Sequence, residues 1–189
     1  MKSCAAFLLL LCFQMAQAQP EKVKAKLIIG VLGAQIDGDK LAGYDKAGAV
    51  LGMAMELKLG EKFSIQPEVL YAQKGARSSN KSPYFAIVRL SYIDLNGVFN
   101  YYLKDNIVLQ GGMYYGLLFR AKADAGLGFV DALNLYNKSD FGYLAGVEYR
   151  FTPKTSANLR FGYSLANISP IIPQYNNIIS FALRVQLGD

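Results

Sequence analysis

The sequence predicts an all-β protein, in which a cleaved signal peptide precedes an eight-stranded antiparallel up-and-down transmembrane β-barrel. Three observations predict this fold. Eight segments alternate between large apolar residues and small or polar residues, as strands do. Short and long connections alternate between these segments. The apolar residues of each segment form a band of roughly 9–11 residues, which is the length of a tilted transmembrane strand.

Residues 1–18 have the three parts of a secretory signal peptide: a positive charge at Lys2, a short apolar run, and the small-residue cleavage site Ala-Gln-Ala at its end. We therefore expect export, with cleavage after Ala18. The barrel domain is predicted to span residues 19–189.

Two other interpretations of the leader are disfavoured. A membrane anchor needs an apolar run of roughly 20 residues, and this run is far shorter. Lipidation at Cys12 needs a small preceding residue, whereas Leu11 is bulky. Because Cys4 and Cys12 are the only cysteines and both lie in the leader, the exported chain is expected to lack disulfides and thiolate metal sites.

The eight predicted strands are rich in β-branched, aromatic and glycine residues and lack helical periodicity. They span residues 24–36, 47–59, 63–74, 86–102, 107–120, 140–151, 156–166 and 177–187. Short turns are predicted at 60–62, 104–106 and 152–154, and long loops at about 37–46, 75–85, 121–139 and 167–176. Short turns at one end and long loops at the other are typical of outer-membrane barrels.

The sixth predicted strand indicates which face contacts lipid. Its odd-numbered residues from Phe141 to Phe151 are mostly large and apolar, whereas the opposite face combines glycine with Glu148 and Arg150. A water-facing surface favours many Lys and Glu residues and few glycines, but the crowded lumen of a narrow barrel needs small residues beside paired charges. The polar faces are therefore predicted to line the lumen.

The segment FSIQPEVLYAQKG, residues 63–75, alternates apolar and polar side chains along almost its whole length. Pro67 is its irregular member. Proline has no amide hydrogen, so we expect either a missing ladder bond or a bulge at this residue.

Three stretches of the chain resemble the PorT-like family of outer-membrane β-barrels: the Gln-Pro-Glu strand at 63–75, the strand YIDLNGVFNYYL at 92–103, and the Gly- and Tyr-rich strand at 111–118. The resemblance implies an eight-stranded barrel of the OmpA/OmpX type and, loosely, a role with a secretion apparatus. Two features depart from the family pattern. Asn96 stands where the family usually has proline, and the chain ends Leu-Gly-Asp instead of on an aromatic residue.

Charges of both signs fall on the predicted inner faces of the strands. We expect them to form an ion-pair network inside the barrel, because an unpaired charge in a narrow lumen incurs a desolvation penalty. The predicted members are Glu56, Lys58, Glu68, Asp94, Arg120, Glu148, Arg150, Arg160 and Arg184.

Catalysis and metal binding are disfavoured. The sequence contains no histidine, which excludes His-based triads, general bases and metal ligands. A catalytic pair of inward carboxylates is disfavoured because basic residues share their face. Asp37-Gly38-Asp39 resembles the start of a calcium loop, but Leu41 stands where an EF-hand type of loop needs an oxygen ligand. We therefore expect no enzymatic activity, no cofactor and no metal.

Three basic residues, Lys74, Arg77 and Lys81, are predicted to lie in or beside the second long loop with no acidic neighbour. Together with the net charge of +6, they are compatible with a contact with lipopolysaccharide phosphates, although the pattern by itself favours a solvated basic loop. The other expected partners are outer-membrane lipid and secretion or envelope proteins. An exported barrel is not expected to bind nucleic acid, and a monomer is expected.

Two functional hypotheses follow. The first is a small, closed integral outer-membrane barrel with a structural, surface-interaction or secretion-assembly role. The second is a carrier or passage for small apolar ligands, either lipocalin-like or membrane-embedded. A lipocalin would keep apolar residues in its lumen and a helix after its last strand, and neither feature is evident in the sequence.

Overall fold

A computed structural model describes residues 23–39, 41, 43–78 and 86–188 of the chain. The predicted signal peptide and Lys81 lie outside the described residues. No helix within these ranges is both long and apolar enough to cross a membrane.

The described residues form eight long strands and one strand of two residues. They are β1 (Val23–Asp37), β2 (Lys46–Lys58), β3 (Phe63–Arg77), β4 (Ile87–Lys104), β5 (Ile107–Asp124), β6 (Val130–Asp131), β7 (Ser139–Arg150), β8 (Thr155–Ser164) and β9 (Tyr175–Leu187). Each long strand pairs antiparallel with the next long strand, and β9 pairs back onto β1. The predicted closed eight-stranded barrel is therefore confirmed, while β6 pairs only with the end of β5.

The connections alternate in length as predicted. The chain turns within residues 59–62, 105–106 and 151–154 at one end, here called the short-turn end. At the other end, the long-loop end, the connections span residues 38–45, 78–86, 125–138 and 165–174.

The faces of the strands have the predicted orientation. In β3, Phe63, Ile65 and Val69 are exposed on the outside, whereas Ser64 and Gln66 are fully buried inside. The same alternation gives the whole barrel an outer belt of exposed large apolar side chains, with Val31 and Phe181 at half their surface or more. Such a belt requires an apolar surrounding medium.

Pro67 leaves a gap in one ladder. The β2–β3 pairing is interrupted between Ala54/Glu68 and Leu57/Ile65, opposite the proline. Pairing on the other side continues through Pro67 and Gly97 of β4. The β2–β3 register is the same before and after the interruption, so the proline removes pairing without inserting a bulge.

Two of the long loops pack over the barrel mouth at the long-loop end. Ala132 and Ile168, from two different loops, are buried against strand residues that include Leu90 and Leu118. A small apolar core therefore closes the lumen at this end.

Candidate functional site

Among the described residues, ten charged side chains meet inside the barrel in two groups. The larger group, here called the lower network, occupies the half near the short-turn end and consists of Lys26, Glu56, Glu68, Glu148, Arg150, Arg160 and Arg184. The smaller group, the Lys74 cluster, lies nearer the long-loop end and consists of Lys74, Asp94 and Asp140. Five bases and five acids are thus paired inside the lumen.

Glu68 binds two guanidinium groups at the centre of the lower network. Arg160 donates to both of its carboxylate oxygens, at 2.7 and 3.0 Å, and Arg184 donates to one at 3.2 Å. Gln66 and Asn96 add amide donors at 2.7 and 2.9 Å. The hydrogen bonds that the Glu68 carboxylate accepts offset much of the free-energy cost of removing its charge from water.

Two further carboxylates extend the lower network. Glu148 accepts a bond of 2.9 Å from Arg184 and lies 3.4 Å from the Lys26 ammonium. Lys26 in turn lies 2.8 Å from Glu56, which also pairs with Arg150 at 3.3 Å. The ion pairs of the lower network therefore link six of the eight long strands: β1, β2, β3, β7, β8 and β9.

The Lys74 cluster combines ion pairs with aromatic contacts. The Lys74 ammonium lies 3.0 Å from the Asp94 carboxylate and 3.3 Å from the Asp140 carboxylate. The same nitrogen lies over the rings of Tyr92 and Tyr114, at 4.7 and 4.2 Å from their centroids. Cation–π contacts of this kind strengthen when water is excluded.

Uncharged polar side chains fill the space around the lower network. Asn158 donates to Gln110 at 2.8 Å, and Gln110 donates to Asn100 at the same distance. Gln110 also accepts a bond of 2.8 Å from Arg160. Because each amide both donates and accepts, these side chains extend the hydrogen-bonded network across the barrel.

A set of apolar side chains, here called the apolar layer, lies between the two charged groups, and Asp94 and Arg160, one from each group, line the same small cavity. Leu32, Val50, Leu70, Leu144 and Ile178 are among the residues that line a cavity of about 30 Å³ there. A space of that size holds about two water molecules at most.

Two glycines, Gly116 and Gly142, leave space for the side chains in and around the Lys74 cluster. A Cβ at Gly116 would lie 2.6 Å from Asp94 Oδ1, and one at Gly142 would lie 2.6 Å from the Tyr114 ring. Both contacts are far shorter than van der Waals distance. The predicted pattern of glycine beside charge therefore reflects packing inside a narrow lumen.

The structure brings together seven of the nine residues predicted for the lumen and places Lys58 and Arg120 elsewhere. Lys58 is on the inner face but at the short-turn rim, where it is exposed to solvent. Arg120 is exposed on the outer face. The β4–β5 register shifts between Ser91/Arg120 and Tyr92/Leu118, so Phe119 is an extra residue and both Phe119 and Arg120 point outward.

The prediction that Lys74 contacts an anionic surface is corrected. Lys74 is fully buried in the lumen, because β3 continues past residue 74 and even-numbered positions of this strand face inward. Arg77, the last residue of β3, is exposed as predicted. Lys81 lies outside the described residues.

Sequence reasoning missed Lys26, Lys74 and Asp140 as lumen residues. A signal for all three existed. Lys26 has the same parity as the buried Ile28, and Asp140 has the same parity as Gly142. Lys74 is the last residue of the predicted third strand and shares the even parity of the buried Ser64 and Gln66.

Metal ligation has no structural support in the part of the chain that the structure describes, where no three His, Cys, Asp or Glu residues are grouped to hold an ion. In the first long loop, burial raises the pKa of Asp39, whose Oδ1 accepts a bond of 2.7 Å from the Leu41 amide. The Asp39 carboxylate therefore stabilises the turn by accepting this backbone hydrogen bond.

A closed barrel with an apolar exterior and a charged, filled lumen defines an integral β-barrel membrane protein. The family model described as "Outer membrane protein beta-barrel domain" matches residues 15–169. The chain belongs to this family of outer-membrane proteins. Comparison with curated proteins finds no match.

Solved structures share the fold at low sequence identity. Ail, the attachment invasion locus protein of Yersinia pestis, in complex with the heparin analogue sucrose octasulfate, is 13% identical with a TM-score of 0.56 and covers 88% of this chain and 99% of its own. Neisserial surface protein A (NspA) is also 13% identical, with a TM-score of 0.55 and coverages of 86% and 96%.

Proposed function

We propose that this protein is a plugged, non-catalytic outer-membrane barrel that acts through its outer surface and long loops, exported by a signal peptide that is cleaved after Ala18. The observation that carries the proposal is the filled lumen. Four sets of side chains fill the lumen in succession along the barrel axis. From the short-turn end, they are the lower network, the apolar layer, the Lys74 cluster and the small apolar core that contains Ala132 and Ile168. By the rule for outer-membrane barrels, the short turns face the periplasm and the long loops face the cell exterior.

The role that fits this architecture best is surface interaction. Support comes from the named relatives, since one is an attachment and invasion protein that binds a heparin analogue and the other is a surface protein. The partners we propose are outer-membrane lipid, including lipopolysaccharide, together with surface or envelope proteins. The PorT-like strands in the sequence favour assembly with a secretion apparatus among the latter.

The size of the internal cavity speaks against the carrier hypothesis. Pockets that bind small organic ligands usually measure roughly 300–1,000 Å³. The cavity between Leu70 and Leu144 measures about 30 Å³. An apolar ligand would therefore have to displace buried ion pairs.

Planar-bilayer recording of the refolded full chain tests the plugged barrel. We expect no steady ion conductance, because buried side chains of the described residues fill the lumen. A matched pair of variants sharpens the test: Arg160→Ala opens the lower network, whereas Lys62→Ala changes an exposed turn residue. Steady single-channel steps in the wild type that change size in Arg160→Ala and not in Lys62→Ala would overturn the proposal.

A further inference from the structure

The outer wall of the barrel carries a group of basic side chains at the long-loop end. The group, here called the basic wall, consists of Arg89 on β4 and of Arg120 and Lys122 on β5, with Arg77 of β3 at its margin. Arg89, Arg120 and Arg77 are exposed, and Lys122 is partly exposed.

The basic wall begins directly where the lipid-facing belt ends. Tyr71, Ile93 and Leu117 lie side by side in one register row across β3, β4 and β5 and face outward. The next outward row contains Arg120, and the row after it contains Arg89 and Lys122. These cations therefore sit at the depth where the head groups of the outer leaflet would meet the barrel.

No ion pair within the described residues joins a cation of the basic wall to a carboxylate, and Asp124, two residues beyond Lys122, accepts bonds from the Gly126 and Gly128 amides instead. Arg89 and Lys122 are direct cross-strand partners, an arrangement of like charges that destabilises a sheet. The carboxylate nearest in register, Asp131, accepts a bond from the Leu133 amide, and no ion pair within the described ranges joins it to Lys122. Arg89 instead lies over the Phe129 ring, 4.0 Å from its centroid.

Open clefts adjoin these side chains. Arg89, Arg120 and Lys122 line a surface cleft of about 130 Å³ together with Gln73. A neighbouring cleft of about 250 Å³ shares Arg89 and adds Arg77 and Lys46, with Asp45 as its acidic member. Both clefts offer side-chain donors around a space that no described residue fills.

We propose that the basic wall binds the phosphate groups of lipid A, the membrane-embedded part of lipopolysaccharide. The inference rests on the proposed orientation of the barrel in the outer membrane. Guanidinium and ammonium groups are matched to phosphate oxygens, and a bound phosphate would relieve the repulsion between Arg89 and Lys122. The position on the lipid-facing wall, instead of on a loop tip, favours a lipid over a soluble polyanion.

The test compares lipids that differ only in phosphate. The full chain, refolded into phosphatidylcholine nanodiscs, is titrated with bisphosphorylated lipid A and with dephosphorylated lipid A. We expect much tighter binding of the phosphorylated lipid. The double variant Arg89→Gln/Lys122→Gln should weaken that binding by roughly 25-fold, since each cation near an anionic lipid surface contributes about fivefold.

The matched control removes two exposed lysines at the other end of the barrel, Lys62→Gln/Lys104→Gln, and should bind as the wild type does. Equal affinity for the two lipids, or an equal loss in the control, would overturn the proposal. Competition by free inorganic phosphate or heparin at similar concentration would overturn the choice of a lipid ligand. Bilayer conductance is measured on the same samples, so a conducting wild type would count against the plugged barrel separately.

Discussion

The Lys74 ammonium lies 3.0 Å from the Asp94 carboxylate inside the barrel, where the lysine side chain is fully buried and the aspartate nearly so. Asp140 approaches the same ammonium at 3.3 Å and accepts further bonds from Ser164 and Asn176, at 2.7 and 2.9 Å. One cation thus joins carboxylates from β4 and β7 across the lumen. Its loss would leave two buried acids beside each other.

Lys74→Met should lower the free energy of unfolding by roughly 3–5 kcal/mol, the cost of removing one partner from a buried ion pair. The chain has no tryptophan, so urea unfolding in detergent or lipid vesicles is best followed by circular dichroism. Lys62→Met, at an exposed turn, serves as the control and should change stability little. Equal effects of the two substitutions would contradict the assigned role of Lys74.

Glu68→Gln should also destabilise the barrel strongly, by roughly 3–5 kcal/mol, because Arg160 would lose its bidentate partner and Arg184 one of its two carboxylates. Glu61→Gln, in an exposed turn, is the matched control. The two variants are compared by the urea concentration at the midpoint of unfolding, with the m-value, the dependence of the unfolding free energy on urea, unchanged. A Glu68→Gln protein as stable as the control would mean that the network contributes little.

Val69→Arg should cost roughly 2–4 kcal/mol, because it places a cation on the lipid side of β3 near mid-membrane. Val69 is 54% exposed on the outer belt. Ile171→Arg provides the control, since this loop residue is 71% exposed at the long-loop end. The yield of refolding into lipid vesicles is measured for both variants. A greater loss of yield for Ile171→Arg than for Val69→Arg would reverse the assignment of lipid-facing and water-facing surfaces.

The folded protein should resist SDS without heating and change its gel mobility after boiling. The reason is closure: β9 pairs with β1 along thirteen residues of each strand, so the ring of eight long strands has no open edge from which unfolding begins easily. Electrophoresis of boiled and unboiled samples checks this. Identical mobility in both lanes would argue against a stable closed ladder in solution.

The strands could be predicted because their pattern is local. Alternation in segments such as FSIQPEVLYAQKG requires only that neighbouring residues point to opposite faces, and this rule also placed Glu68 inside and Val69 outside. It failed for Arg120, where the extra residue Phe119 shifts the alternation. A bulge depends on how two strands pair, and that pairing is not visible in either strand alone.

The sequence by itself determined the number of strands, the order of short and long connections and the side of each strand that carries apolar residues. Only the tertiary structure decided which charges meet. Lys26 and Glu148 are 122 positions apart in the chain yet 3.4 Å apart in the lumen, and Lys74 of β3 meets Asp140 of β7 at 3.3 Å. Ion pairs across a barrel depend on closure and register, which bring distant strands together, whereas strand alternation depends only on the local geometry of the backbone.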